Sequence, residues 1–532
     1  MSEQVTQIDA LPARTDVLII GGGPNGLVMS VLLSELGISN VVVERKTSLP
    51  RDPAAHVMRE RPVAVLEALG LGETIDKVSP ALALDYITWC ATLGGREIGK
   101  LDFRFPPADA APSIIYPWKN VPQNILQPVL YAHASARAQA CVRFGVKCTG
   151  IKEYGDGVIA QLTDEASGAV RSIAATWAVA ADGANSPTRA ALGIAMEGPG
   201  PLGQFHMIHF AADLRPLIEN RSGPIYWIHH PEAPGAFIVH EPEGSSVFMT
   251  PVFGIDDEVA GLPARLAKAL GADVEAEIIS IRKWTAHAQV AEYYGSGHVL
   301  LLGDAAHRFP PTGGLGLNTG IMEAHNLAWK LALVVKGIAG DGLLDTYEAE
   351  CKPAAEANTA DSLRNQQHLG MIGAVLGRCS TLPELNTRID ALTVEEKERL
   401  AFAIESQRGH FAFNGTMPGE RRTVRAARIG PVIAPYGEFR LYAQSRTSFT
   451  EEALHHLLRM GLDTSFHIMP GAQQAWCAGV ETLLMRPDGL VEWSAEKIAV
   501  QTIVDFKNAL NKLLDTNAAA VSRSTADKRK KL

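Results

Sequence analysis

The stretch GHVLLLGDAAHRFPPTGGLGLNTGIMEAHNLAWK, Gly297 to Lys330, decides how the chain is read. His298 to Leu302 is an apolar run of strand length that stops at Gly303-Asp304. A loop rich in Gly and Pro follows, from Arg308 to Gly316. Ile321, Ala324, Leu327, Ala328, Leu331 and Ala332 then recur at three- and four-residue spacing, the period of a helix with one buried face. Gly313, Gly314 and Gly316 let backbone approach a flat ring without Cβ clashes. The helix behind them points its positive end and its unpaired N–H groups at whatever the loop holds, which suits a ring that becomes anionic on reduction. Asp304, at the strand end, is placed to accept hydrogen bonds from a sugar or ribityl hydroxyl. Pro311, Gly314, Leu315, Gly316, Leu317 and Asn318 are the loop and helix-start residues expected to line that ligand.

Working outward, the N-terminal region repeats this grammar. Asp16 to Ile20 is a short apolar strand, followed at once by Gly21-Gly22-Gly23-Pro24-Asn25-Gly26. Leu27, Val28, Val31, Leu32 and Leu36 mark a helix face that Gly37 closes. Asn40 to Val43 is the next strand and ends in Glu44, 18 residues past Gly26. This is a βαβ unit with Gly-x-Gly-x-x-Gly in place. Gly21, Gly23 and Gly26 allow the tight turn and a close approach to pyrophosphate, Pro24 and Asn25 open the helix, and Glu44 can hold a ribose. Arg45 can reach a phosphate or stack on adenine. Gly198 to Gly203 fits the same pattern formally, but it follows no strand and opens no helix, so it reads as a connecting loop.

Composition bounds the rest. At 532 residues the chain needs two or three domains. A hydrophobic fraction of 46% describes a globular protein, and a net charge of −9 argues against nucleic acid as a partner. No apolar run is long enough for a membrane span, and the N-terminal stretch lacks the build of a signal peptide, so a cytoplasmic protein is expected. The six cysteines form no CxxC, and no Cys/His cluster has zinc spacing. His229-His230 has no third ligand at a suitable distance in sequence, so no metal is expected.

With these residues in view, GDAAHRFPPTGGLGLNTGIMEAHNLAWKL closely resembles the GD motif of the FAD-dependent aromatic hydroxylases, the single-component flavoprotein monooxygenases. Within them it is most similar to the branch of phenol hydroxylases and chlorophenol monooxygenases. The resemblance implies an α/β fold with a Rossmann-like FAD-binding domain (1–85, 115–195 and 285–400) and an inserted antiparallel-sheet substrate domain (86–114 and 196–284). A thioredoxin-like C-terminal domain (401–515) and a disordered tail (516–532) complete it. Without CxxC, that third domain is expected to serve packing or dimerisation, giving a homodimer. Asp182-Gly183 to Arg189 resembles the family's DG motif, which implies that Asp182 holds a ribityl or backbone group and Arg189 a phosphate. Gln123 and Arg61 stand where the family places flavin contacts. The segment Arg51 to Arg61 departs from the family pattern, carrying His56 and Arg59.

The resemblance also implies the cycle. NADH or NADPH reduces FAD, O2 adds at C4a, and the hydroperoxide transfers oxygen to a phenolic aromatic substrate. The protein must then orient the substrate, exclude water and take a proton from its hydroxyl. His206, His209, Tyr226, His240, Tyr293 and Asp52 are candidates for that base, with Tyr226 and His209 singled out. Epoxidation or Baeyer–Villiger oxidation of a polycyclic metabolite, or FAD binding without oxygenation, are the alternatives.

Overall fold

A computed structural model describes residues 8–80, 85–102, 119–254, 258–408, 436–469, 480–495 and 502–514. The first strand, Arg14–Ile20, lies at the centre of a large sheet. Strands Val170–Ala180 and Asn40–Glu44 flank it, both parallel to it. Val299–Leu301 and Ala140–Phe144 add in parallel at the outer sides. The sequence makes these strands apolar on both faces, as a sheet covered by helices requires. Ile20 is in register with Ala180, and Ala180 with Leu301. The loops that follow these three strands therefore emerge side by side at the carboxyl edge of the sheet, where such folds bind ligands. That register alone brings the Gly21, Asp182 and Asp304 motifs together.

Helix Pro24–Glu35 is apolar nearly all round, because it is enclosed between this sheet and the long helix Leu315–Val335. The segment Arg51 to Arg61 ends in regular structure. Val57–Met58 forms a short strand with Lys119–Asn120, and the next helix starts at Glu60, so Arg61 is helical.

The second sheet runs in the order Glu277–Ala286, Gly203–Ala211, Ser245–Pro251, Gly235–Val239, Ile225–Ile228, Tyr86–Cys90, Glu97–Asp102. It is not wholly antiparallel: Ile225–Ile228 runs parallel to Tyr86–Cys90. The hairpin that begins at Tyr86 is remote in sequence from its neighbour, so no tight turn dictates its direction. One face carries Ile208, Phe210, Tyr226, Phe237, Val239 and Phe248 against helix Leu262–Leu270. The other face looks toward the first sheet's motif loops.

Helix Val394–Glu405 crosses the expected domain boundary at 400. Its Leu400 and Ile404 pack on Ile87, Trp89 and Leu101, so it belongs with the second sheet. A third sheet, Thr464–Ile468, Phe439–Ala443, Thr482–Met485 and Val491–Ala495, stands near the C-terminus with helices Ser448–Arg459 and Thr502–Leu513. The tail 516–532 and the whole stretch 103–118 lie outside the described residues. Among the described residues no helix is long and apolar enough to cross a membrane.

Candidate active site

The glycines of the first loop are required for different reasons. A Cβ on Gly21, at φ +114°, would stand 2.2 Å from the Ala181 carbonyl oxygen, and one on Gly26 would stand 2.1 Å from that of Gly21. At Gly23 a Cβ would meet nothing within 4 Å. Two glycines thus permit backbone to pass backbone, and the third faces open space at the start of a helix that opens with Pro24. That space suits a pyrophosphate. Glu44 closes the site from the next strand. Its two carboxylate oxygens accept from the Gly22 and Lys46 amides, each at 2.9 Å, which fixes its direction. Arg45 is exposed beside it.

Asn25 was singled out as a helix opener, and its side chain has a further part. Cβ atoms on Gly303 and Gly320 would lie 2.3 and 2.0 Å from its Nδ2. The amide is wedged between the acidic turn and the long helix, and its Oδ1 has no partner among the described residues. Gln123 begins helix Gln123–Ser135 and donates to Gln127, 3.1 Å away, and Gln127 in turn donates to the Gly22 carbonyl at 2.7 Å. Gln127 was missed; its signal was its place one turn beyond Gln123 on the same helix face.

Asp182 accepts from the Thr188 amide at 3.1 Å through one oxygen, while the other is buried without a partner among the described residues. An orphaned carboxylate oxygen at the junction of the motifs fits a ligand hydroxyl. Arg189 does not fit its expected phosphate role. Its guanidinium is buried and donates to the carbonyls of Ala305, 2.8 Å, and Ala184, 3.3 Å, tying the second motif to the third. Burial lowers its pKa from the ordinary arginine value.

Asp304 is exposed although its neighbours Gly303, Ala305 and Ala306 are buried. The turn is held from beneath. Glu323 accepts from the Gly303 amide at 3.0 Å and from the His307 ring at 3.0 Å, both partners fully buried. Gly314, in the left-handed region at φ +58°, caps the long helix. Gly316 would place a Cβ 3.8 Å from an Asp304 oxygen. Pro311 is exposed, while Leu315 and Leu317 are buried.

Asn318, expected as a ligand contact, braces the loop. The Asn318 amide accepts from the Arg59 backbone at 2.7 Å and donates to Val57 and Gly314 carbonyls at 2.8 and 2.7 Å. Arg61 lies instead near His325, whose pKa is lowered by burial and further by the Arg61 charge. Arg59 is the arginine that reaches the glycine loop, donating to Gly313 O at 3.1 Å. Helical phase explains the exchange: Arg59 precedes the helix in extended backbone, whereas Arg61 is turned by it.

On the second sheet the candidates separate by face. Tyr226 is fully buried against helix Leu262–Leu270, and its hydroxyl donates to Arg221 O at 2.8 Å and accepts from the Gly223 amide at 2.9 Å. Burial raises its pKa, so it is a satisfied core residue and not a base. Tyr293 is exposed and off the sheet. His230 is taken up in a turn with the Glu232 amide. His209 faces the motif loops. Its Nδ1 lies 3.2 Å from Asp52 and its Nε2 3.0 Å from the Ser245 hydroxyl. Burial raises the Asp52 pKa, but hydrogen bonds from Ser280 and His209 and the charge of Arg282 outweigh it, leaving the group below its ordinary value. Asp52 comes from the segment that precedes Val57, so this pair joins the sheet to the glycine loop.

Known proteins are similar to this chain in sequence and in fold. The family described as FAD binding domain matches residues 14–362. The chain is 35% identical over 348 residues to aklavinone 12-hydroxylase DnrF of Streptomyces peucetius, covering 63% of this chain and 71% of that one. It is 28% identical over 596 aligned positions to 2,4-dichlorophenol 6-monooxygenase of Delftia acidovorans, covering 97% and 100%. Its fold is similar to the crystal structure of the flavin-dependent monooxygenase PieE, with a TM-score of 0.82 at 24% identity over 95% of this chain and 100% of that one.

Proposed function

Because the chain belongs to the FAD binding domain family and is an FAD-dependent monooxygenase of the aromatic hydroxylase kind, we propose that it hydroxylates a phenolic ring next to an existing hydroxyl, with NADH or NADPH as electron donor. The observation that carries the reading is the His209–Asp52 pair on the sheet face opposite the glycine loop. FAD, when bound, supplies the hydride and oxygen chemistry. Gly23 and the start of helix Pro24–Glu35 would hold its pyrophosphate, Glu44 a ribose hydroxyl, and Asp182 and Asp304 its ribityl chain. The N-terminus of helix Leu315–Val335 would favour negative charge on the ring.

The chain's own part in the chemistry is the proton. Asp52 accepts from His209 Nδ1, which leaves Nε2 as the acceptor. Nε2 accepts from the Ser245 hydroxyl, 3.0 Å away, and takes the proton of the substrate hydroxyl through it, making the ring electron-rich for electrophilic attack. His209 sits on a sheet whose opposite face is packed core, so its position is rigid. For the C-terminal unit, the order strand, helix, strand, hairpin, helix supports a thioredoxin-like reading.

The test is NAD(P)H oxidation by the FAD-loaded enzyme across monocyclic and polycyclic phenols, with hydrogen peroxide measured alongside. Stimulated oxidation with little peroxide, and a product heavier by one oxygen, is the expected result. A rate that no phenol raises above the basal value overturns the reading.

A further inference from the structure

A second group of imidazoles lies beside His209 and takes no part in the proton step. His240 follows strand Gly235–Val239 and is 1% exposed. Phe237 and Val239 enter the core beneath helix Leu262–Leu270. Alternation therefore turns His240 to the other face, the one that carries His209. Its ring meets that of His56 edge to face, with centroids 5.1 Å apart and planes at 75°. His56 immediately precedes Val57, whose carbonyl accepts from Asn318. A Cβ on Gly314 would meet Val57 Cβ at 3.7 Å. The imidazole pair is thus one residue away from the glycine loop.

Asn120 braces the pair. Its Oδ1 lies 2.9 Å from His56 Nδ1, and its Nδ2 lies 3.5 Å from the His240 carbonyl. His240 Nδ1, however, is buried and has no partner among the described residues. Buried polar nitrogens are normally satisfied, so this one marks a place for a group that the protein itself does not supply. Burial lowers the pKa of both rings, and His56 and His209 lower His240 further. The pair is therefore neutral near pH 7 and suits an uncharged oxygen substituent, not a carboxylate. A metal does not fit: among the described residues no group of three or more possible ligands is arranged to hold one, and Asp52 is engaged by Arg282.

We propose that His240, positioned by His56 and Asn120, binds a second hydroxyl of the aromatic substrate, so that the enzyme prefers rings with two neighbouring oxygen groups over simple monophenols. This rests on the phenol-hydroxylase reading, in which His209 meets the first hydroxyl. The base and this contact share one sheet face, and together they orient the ring in its plane.

The experiment titrates FAD-loaded enzyme with a catechol, whose two hydroxyls are adjacent, and with the matching monophenol, read by perturbation of flavin absorbance. Wild type is expected to bind the dihydroxy compound about tenfold more tightly, the loss expected for one hydrogen bond. His240→Phe should abolish the preference, and His240→Asn, whose amide oxygen can accept in place of Nδ1, should restore part of it. If His240→Phe does not retain FAD, His56→Phe gives the same comparison. A preference unchanged in these variants overturns the inference while leaving the hydroxylase reading intact. Failure of both compounds to bind wild type, together with no stimulated NAD(P)H oxidation by any phenol, overturns the reading and the inference with it.

Discussion

Arg486 grips Glu350 with both ends of its guanidinium, Nη1 to Oε1 and Nη2 to Oε2, each at 2.8 Å. Lys330 donates to the same carboxylate at 2.9 Å, and Asp488 accepts from Arg486 and from the Trp329 indole. All four charges are almost wholly buried. The network fastens the Pro487-Asp488-Gly489 turn of the C-terminal hairpin to the helix whose start carries Gly314. Removing one member leaves a buried charge unpaired, so Glu350→Gln should cost about 3–5 kcal/mol. Calorimetry should show a lowered Tm, and free-flavin fluorescence an earlier release of FAD on heating.

The same network sets an acid limit. Burial raises the Glu350 and Asp488 pKa values, but Arg486 overcomes this and both groups lie below their ordinary values. A carboxylate depressed in the folded state contributes stability above its unfolded pKa, about 4, and loses that contribution as pH falls further. The Tm gap between wild type and Glu350→Gln should be constant from pH 7 to about pH 5 and shrink below pH 4.

The turn beneath Asp304 has the opposite dependence. Burial disfavours the His307 cation, but the charge and hydrogen bond of Glu323 outweigh burial and raise its pKa above the ordinary value. A raised histidine contributes fully below its unfolded pKa, about 6.5, and loses the contribution as pH rises through the folded value. His307→Asn should therefore be most destabilised, relative to wild type, at pH 6 and less so at pH 9. Thermal unfolding at the two pH values decides it.

Gly23 and Gly26 should respond differently to the same substitution. Gly26→Ala drives a Cβ into backbone and should cost about 1–3 kcal/mol of stability. Gly23→Ala meets open space in an extended conformation, φ −68° and ψ 174°, and should leave the Tm of the flavin-free protein unchanged. Its effect should appear as weaker FAD binding in fluorescence titration, by about tenfold or more if the methyl displaces one phosphate hydrogen bond.

Tyr226 and His209, alike as sequence candidates, should part in assays. Tyr226→Phe orphans the Arg221 carbonyl and Gly223 amide and should cost about 1–3 kcal/mol of stability with kcat unchanged. His209→Gln should keep its FAD and lower kcat for hydroxylation by roughly 10²–10⁴. Equal kcat values for His209→Gln and wild type would remove His209 as the base.

The difference between those two residues shows where reading the chain stops. By itself the sequence determined the βαβ unit, the three motif turns and the helix after the third. Those features rest on local matters: an apolar period, a glycine where backbone crosses backbone, an acid at a strand end. It also pointed to Asp304, Glu44 and the Gly21–Gly26 loop. Only the tertiary structure decided which arginine reaches the loop, which face holds Tyr226, and what Asn318, Arg189 and Gln127 do. Their partners are remote or out of phase: Asn318 meets Val57 across 261 residues of chain, and Arg189 meets Ala305 across 116. No periodicity encodes such pairs. They follow from strand register, which set Ile20, Ala180 and Leu301 abreast and so made one site of three distant loops.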